Sequence, residues 1–277
     1  MAALILLLAG LGVCAVLLYA AAPVAEALIA ILPAAPQRDP ATVETVGSLV
    51  FFVPLAAAAM IGGALSGFNA ARLGRRPGSA AALGAALGAV GVLAAAGYAW
   101  LAGTLQAAPT MRGAAMLLWG SGLLLVETAA EEIYFRGWLQ RALAERWRGP
   151  PAVLVAAVAF AALHVLGGTR DPVSVANLFV GGLLFGLLAL RNGGIAAAVA
   201  AHFAWNWTEA IGLGLSPNPG LGAFGGLLNL ELKGAALWGG SEEGLNGSLA
   251  MTLTLAALTV PLLLLTPRRA VGPRPGD

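Results

Sequence analysis

Apolar runs of about 20 residues recur along this chain, each long enough to cross roughly 30 Å of hydrocarbon as a helix. That repeat rules out a single water-soluble core. Eight such runs are read, at 3–32, 46–68, 79–104, 113–140, 151–168, 174–190, 193–214 and 247–266. Hydrophobic residues make up 59% and charged residues 10% of the 277 positions, where a soluble domain carries about 25% charged residues. The 38 glycines and many alanines suit helices that approach closely through small-xxx-small faces. The expected fold is all-α, a polytopic membrane protein of about eight transmembrane helices packed as a bundle.

Turn signals separate the runs. Pro33, Pro36 and Pro40 end the first, and Arg72 to Gly78 divides the second from the third. Gly149-Pro150-Pro151 stops the fourth and starts the fifth, with proline where a first helical turn tolerates it. The run near the N-terminus lacks the basic start of a signal peptide and reads as the first membrane helix. The stretch 215–246 is open to three readings: a loop, a re-entrant segment or a short interfacial helix. Three regions follow: 1–112 with helices one to three, 113–214 with helices four to seven, and 215–277 with a loop, the last helix and a basic tail. With the N-terminus inside, ten Lys and Arg residues fall in inner loops and tail, and four, Arg38, Arg112, Arg170 and Lys233, in outer loops. Positive charge concentrates on the cytoplasmic side. Both termini are therefore expected in the cytoplasm, and the membrane is expected to be the plasma membrane. The single Cys14 excludes an intrachain disulfide and a cysteine metal cluster. Nucleic-acid binding is not suggested, because the net charge is only +2 and the arginines lie in short loops.

The polar residues inside the runs carry the functional argument. Ionisable groups in a membrane are costly and mark functional sites by default. Both histidines of the chain, His164 and His202, lie in apolar runs, and a third run carries Glu131-Glu132 followed by Arg136. Residues four apart share a helix face, so Glu132 and Arg136 are expected to pair as a supporting ion pair. Glu131 points about 100° away and is left as the candidate general base. His202 and Asn206 project together by the same spacing. Glu127 and Glu209 are ambiguous, either lining a cavity or bonding to a neighbour. Counting about 1.5 Å per residue from the cytoplasmic end puts Glu131 at about 15 Å, His202 at about 16 Å and His164 at about 20 Å. The three helices thus bring acid, imidazole and imidazole-plus-amide to one level, near the midplane or on its cytoplasmic side. A carboxylate there can deprotonate water, while imidazole and amide donors stabilise an oxyanion. Two histidines and a carboxylate are also a familiar zinc set, here Glu131, His164 and His202.

Glu131-Glu132-x-x-x-Arg136-Gly137, Phe160-x-x-x-His164 and His202-x-x-x-Asn206, in that order, resemble the motifs of the CPBP (Abi) family, which includes type II CAAX prenyl proteases and bacteriocin self-immunity proteins. The resemblance covers about 127–210. It implies an eight-helix bundle with a conical intramembrane cavity. It also implies endopeptidase activity near the cytoplasmic membrane face on a protein or peptide substrate, including lipidated ones. By the same resemblance, Glu131 with His164 would activate water, and His202 with Asn206 would bind metal or hold the oxyanion. Two competing readings are a non-catalytic scaffold or immunity-type protein, and a transporter using Glu and His as a proton relay. The second is weakened by the lack of an inverted repeat.

Overall fold

A computed structural model of the chain describes residues 2–108, 116–218 and 224–265. Arg112, Arg268, Arg269, Arg274 and the basic tail lie outside the described residues. The order is α1 (Ala2–Ala30), α2 (Ala34–Arg38), α3 (Pro40–Leu65), α4 (Pro77–Leu101), β1 (Leu105–Ala107) and α5 (Leu117–Glu132). A π-helical segment, Ile133–Gln140, carries α5 into α6 (Arg141–Trp147). Then come α7 (Gly149–Gly167), α8 (Pro172–Asn192), α9 (Ala196–Trp207), a π turn Thr208–Gly212, β2 (Leu230–Leu232) and α10 (Leu249–Leu265).

The eight expected runs are the eight helical columns of an all-α membrane bundle. Five of them, α1, α3, α4, α7 and α8, are long and apolar enough to cross a membrane. The apolar α10 has 17 residues. The α5 and α9 columns are broken as α-helices because each runs on into π turns. The third helix begins six residues earlier than the apolar run suggests. Asp39 caps it, its carboxylate accepting from the Thr42 amide at 2.9 Å and the Thr42 hydroxyl at 2.7 Å. Those hydrogen bonds hold the Asp39 carboxyl below its usual range. Pro40 fills the first helical position, where it sacrifices no hydrogen bond.

Residues 219–223 of the stretch 215–246 lie outside the described residues. Its described residues hold two 3-10 turns, Ala236–Trp238 and Gly244–Gly247, and the strand β2. β2 pairs antiparallel with β1, Leu105 opposite Leu232. This ribbon was not foreseen, because three-residue strands carry too little alternation to read. It ties the α4–α5 connection to the segment before α10, so both lie at one end of the bundle. Asn177 of α8 donates to the carbonyls of Asn246 and Ser248, fixing the loop to that end. At the other end, Arg75 donates its amide to Asn192 O at 3.0 Å and Ile195 donates its amide to Arg72 O at 2.9 Å. We call these the ribbon end and the arginine end.

The tightest helix contact joins α4 to α9. A methyl group added at Gly84 or Gly88 would run into the backbone carbonyls of Ala197 or Ala201. Close backbone approach of this kind replaces the missing hydrophobic drive between helices in lipid. It also fixes the height of α9, and with it His202. Gly88→Leu is expected to destabilise the fold by the ~1–3 kcal/mol typical of overpacking, or more. Gly97→Leu, on the same helix with open space around it, should leave the melting temperature within error. Thermal unfolding of both variants in detergent checks this; equal melting temperatures would sink it.

Candidate active site

Two adjacent carboxylates address the two nitrogens of one imidazole. His202 Nδ1 lies 2.9 Å from Glu132 Oε1, and its Nε2 lies 3.6 Å from Glu131 Oε2. The 100° step between neighbouring helical residues lets one acid face inward and the next face the cavity. Glu132 is fully buried, and the same Oε1 accepts from Arg136 Nη1 at 2.7 Å. The expected Glu132–Arg136 pair is therefore present, and it has a third member that the sequence did not disclose.

Arg136 is tied further. Its Nη2 donates to Gly182 O at 3.1 Å, and its guanidinium lies 4.5 Å from the Phe160 ring centroid. One turn later, Gln140 Nε2 donates to Gly186 O at 3.0 Å. Both donors sit in the π-helical segment, and both acceptors are glycine carbonyls four residues apart on α8. π turns inside α-helices are frequent at functional sites. Here the segment docks the Glu131–Glu132 helix onto α8.

Aromatic rings fix the imidazoles. Phe185 stacks on His202 with centroids 4.7 Å apart and planes at 18°. Phe160 lies 4.5 Å from the His164 ring and 6.0 Å from the His202 ring. His164 Nδ1 donates to Phe160 O at 2.9 Å, since a carbonyl can only accept, which leaves Nε2 with its lone pair. Neither phenylalanine on α7 or α8 had been given a role beyond the motif position of Phe160.

Glu131, His164, His202 and Asn206 all line one cavity of about 250 Å³. The level expected from helix arithmetic is thus met, and the four residues reach one space from α5, α7 and α9. Glu127 and Glu209 line it too, and Glu127 also hydrogen-bonds the Ser48 side chain. Asn177 accepts from the Thr252 hydroxyl of α10 at 2.8 Å. The expected zinc set does not converge. Among the described residues, no three His, Cys, Asp or Glu side chains are placed to hold a metal ion. Glu131 and His202 approach each other at 3.6 Å, but no third His, Cys, Asp or Glu joins them among the described residues.

The cavity is not centred. Its lining runs from Phe185 and His202 to Thr169, Ser174, Asn218, Glu243 and Asn246, all at the ribbon end. His164 is only three residues from the last residue of α7, Gly167.

Arg136→Met should leave Glu132 as a buried carboxylate without its cation. Breaking a buried pair costs about 3–5 kcal/mol, so we expect a loss of that order in unfolding free energy. A change below ~1 kcal/mol would show that the pair does not organise the helix junction.

Residues 113–208, which include Glu131, Glu132, Arg136, His164, His202 and Asn206, match the family model described as Type II CAAX prenyl endopeptidase Rce1-like. Comparison with curated proteins finds no match, nor does comparison with solved structures. Through its residues 113–208 the chain is similar to the CPBP/CAAX protease-like family.

Proposed function

We propose that the protein is an intramembrane endopeptidase in which Glu131 activates the attacking water. The observation that carries this reading is a buried carboxylate facing His202 Nε2 across 3.6 Å, inside a cavity that His164 and Asn206 also line. Glu131 takes a proton from water as general base. The Nε2 lone pair of His164 orients that water or accepts a second proton. Glu132 holds His202 with Nδ1–H inward, so that Nε2 is the atom presented to the reaction. Glu131 passes the water's proton to Nε2 of His202, 3.6 Å away, which can then donate to the oxyanion beside the Asn206 amide and finally give its proton to the departing amine. The resulting imidazolium is flanked by the Glu131 and Glu132 carboxylates, which stabilise its charge. No step requires a metal, in keeping with a donor set that does not converge.

Glu131 lines this cavity, so the substrate in this reading is a protein or peptide segment that enters it. The family name makes a farnesylated C-terminal peptide the first substrate to try. Purified protein in nanodiscs should cleave a fluorogenic peptide of this kind or one found by an unbiased membrane-peptide screen. Glu131→Gln, with an unchanged melting temperature, should lower kcat by the ~10²–10⁴ typical of a lost general base. A folded Glu131→Gln enzyme with full activity would overturn the mechanism.

Chelation separates the metal question from the proteolytic one. With the donors placed as they are, EDTA should leave kcat within about twofold of the untreated enzyme. Loss of activity that added zinc restores would mean that Glu131, His164 and His202 regroup around an ion.

A further inference from the structure

We propose that the cavity opens to the extracytoplasmic side, so that the substrates are peptide segments presented outside the cytoplasm. This rests on the proteolytic reading only for the word substrate; the direction of opening stands on geometry and charge.

The first observation is the mouth. Thr169 and Ser174 flank the α7–α8 turn, and Asn218, Glu243 and Asn246 belong to the loop that the β1–β2 ribbon fastens to the same end. Ser174 Oγ lies 3.3 Å from Glu243 Oε2, which ties turn and loop together. From His164 the ribbon end is three residues away along α7, about 5 Å at the helical rise. The arginine end lies fifteen residues away, about 22 Å by the same rise. The polar lining beyond the catalytic residues thus lies at the ribbon end, and we take the mouth to be there.

The second observation is charge. The arginine end carries Arg72, Arg75, Arg76, Arg141, Arg146, Arg148 and Arg191, of which all but Arg141 are exposed. The described cations at the ribbon end are Arg38, Arg170 and Lys233. The loops at both ends are short, the regime in which Lys and Arg excess sets orientation and acidic residues count little. An anionic cytoplasmic leaflet attracts the same cluster. Seven against three places the arginine end in the cytoplasm, and the mouth is then on the opposite face.

Two expectations drawn from the sequence therefore exclude each other. Either the arginine-rich loops are cytoplasmic, or the cut is made near the cytoplasmic face. A mouth at the ribbon end allows one of them, and the charge asymmetry selects the first. A prenylated tail in the cytoplasm would not reach Glu131 in this orientation. An exported peptide, or the outer flank of a membrane segment, would.

Thiol accessibility tests this without any need for cleavage. Arg170→Cys, Lys233→Cys and the rim variant Asn218→Cys report the ribbon end; Arg75→Cys and Arg146→Cys report the other. The native Cys14 is buried, and unmodified protein is the background control. Spheroplasts expressing each full-length variant are treated with a membrane-impermeant maleimide before or after permeabilisation. We expect the first three to label at least tenfold more than the last two before permeabilisation, with all labelled after it. The reverse pattern, or equal labelling of both ends, would overturn the proposal. Two reporters on each end guard against one variant failing to accumulate. If the peptidase reading fails through an active Glu131→Gln enzyme, the labelling result is unaffected, so the two failures are distinguishable.

Discussion

One carboxylate oxygen, Glu132 Oε1, holds the site together. It accepts from Arg136 at 2.7 Å and from His202 at 2.9 Å while fully buried. A lone carboxylate in such a place would give up its charge, because moving an ion into a low-dielectric interior costs several kcal/mol even after relaxation. Arg136 supplies the opposite charge at 2.7 Å. An ionised acceptor fixes the proton of His202 on Nδ1, and the fixed tautomer turns Nε2 toward Glu131. Remove the guanidinium and each of these consequences loses its cause.

The geometry of that contact shows what the pair is for. Arginine binds a carboxylate most strongly through two parallel hydrogen bonds. Here Glu132 Oε2 and Arg136 Nε have no hydrogen-bond partner among the described residues. An orphaned buried polar group costs about 1–3 kcal/mol. The pair forgoes its strongest form so that Oε1 can serve His202 as well. That is a placement which favours orientation of the imidazole over stability of the ion pair. It agrees with the surroundings, where Phe185 stacks flat on the ring and Phe160 contacts both histidines.

Much of this was legible in the sequence. Apolar run length marked the helices, and four-residue spacing gave the Glu132–Arg136 pair. Depth arithmetic placed Glu131, His164 and His202 at one level. The rest was hidden for identifiable reasons. The contact between Glu132 and His202 spans 70 positions, and periodicity says nothing of which face of α5 meets which face of α9. The π turns leave no mark in an apolar pattern. Gly182 and Gly186 look like any other packing glycines until Arg136 and Gln140 find their carbonyls. Depth was counted from the arginine end alone, and the short distance from His164 to Gly167 at the other end of α7 was equally present in the sequence.

The scaffold explains why such a costly cluster can be held at a fixed height. Helices in lipid gain little from hydrophobic association, so their register comes from close backbone contact. Gly84 and Gly88 set α4 against Ala197 and Ala201, one of which directly precedes His202. On the far side of the ring, α8 offers Gly182 and Gly186 to the π segment that follows Glu132. His202 is thus placed by small residues, and Glu132 by hydrogen bonds to small residues on another helix. The abundance of glycine and the presence of a buried charge cluster are then two sides of one arrangement. Only backbones that come this close can present carbonyls to an arginine in the membrane, and only such carbonyls, with the carboxylate, satisfy that arginine there.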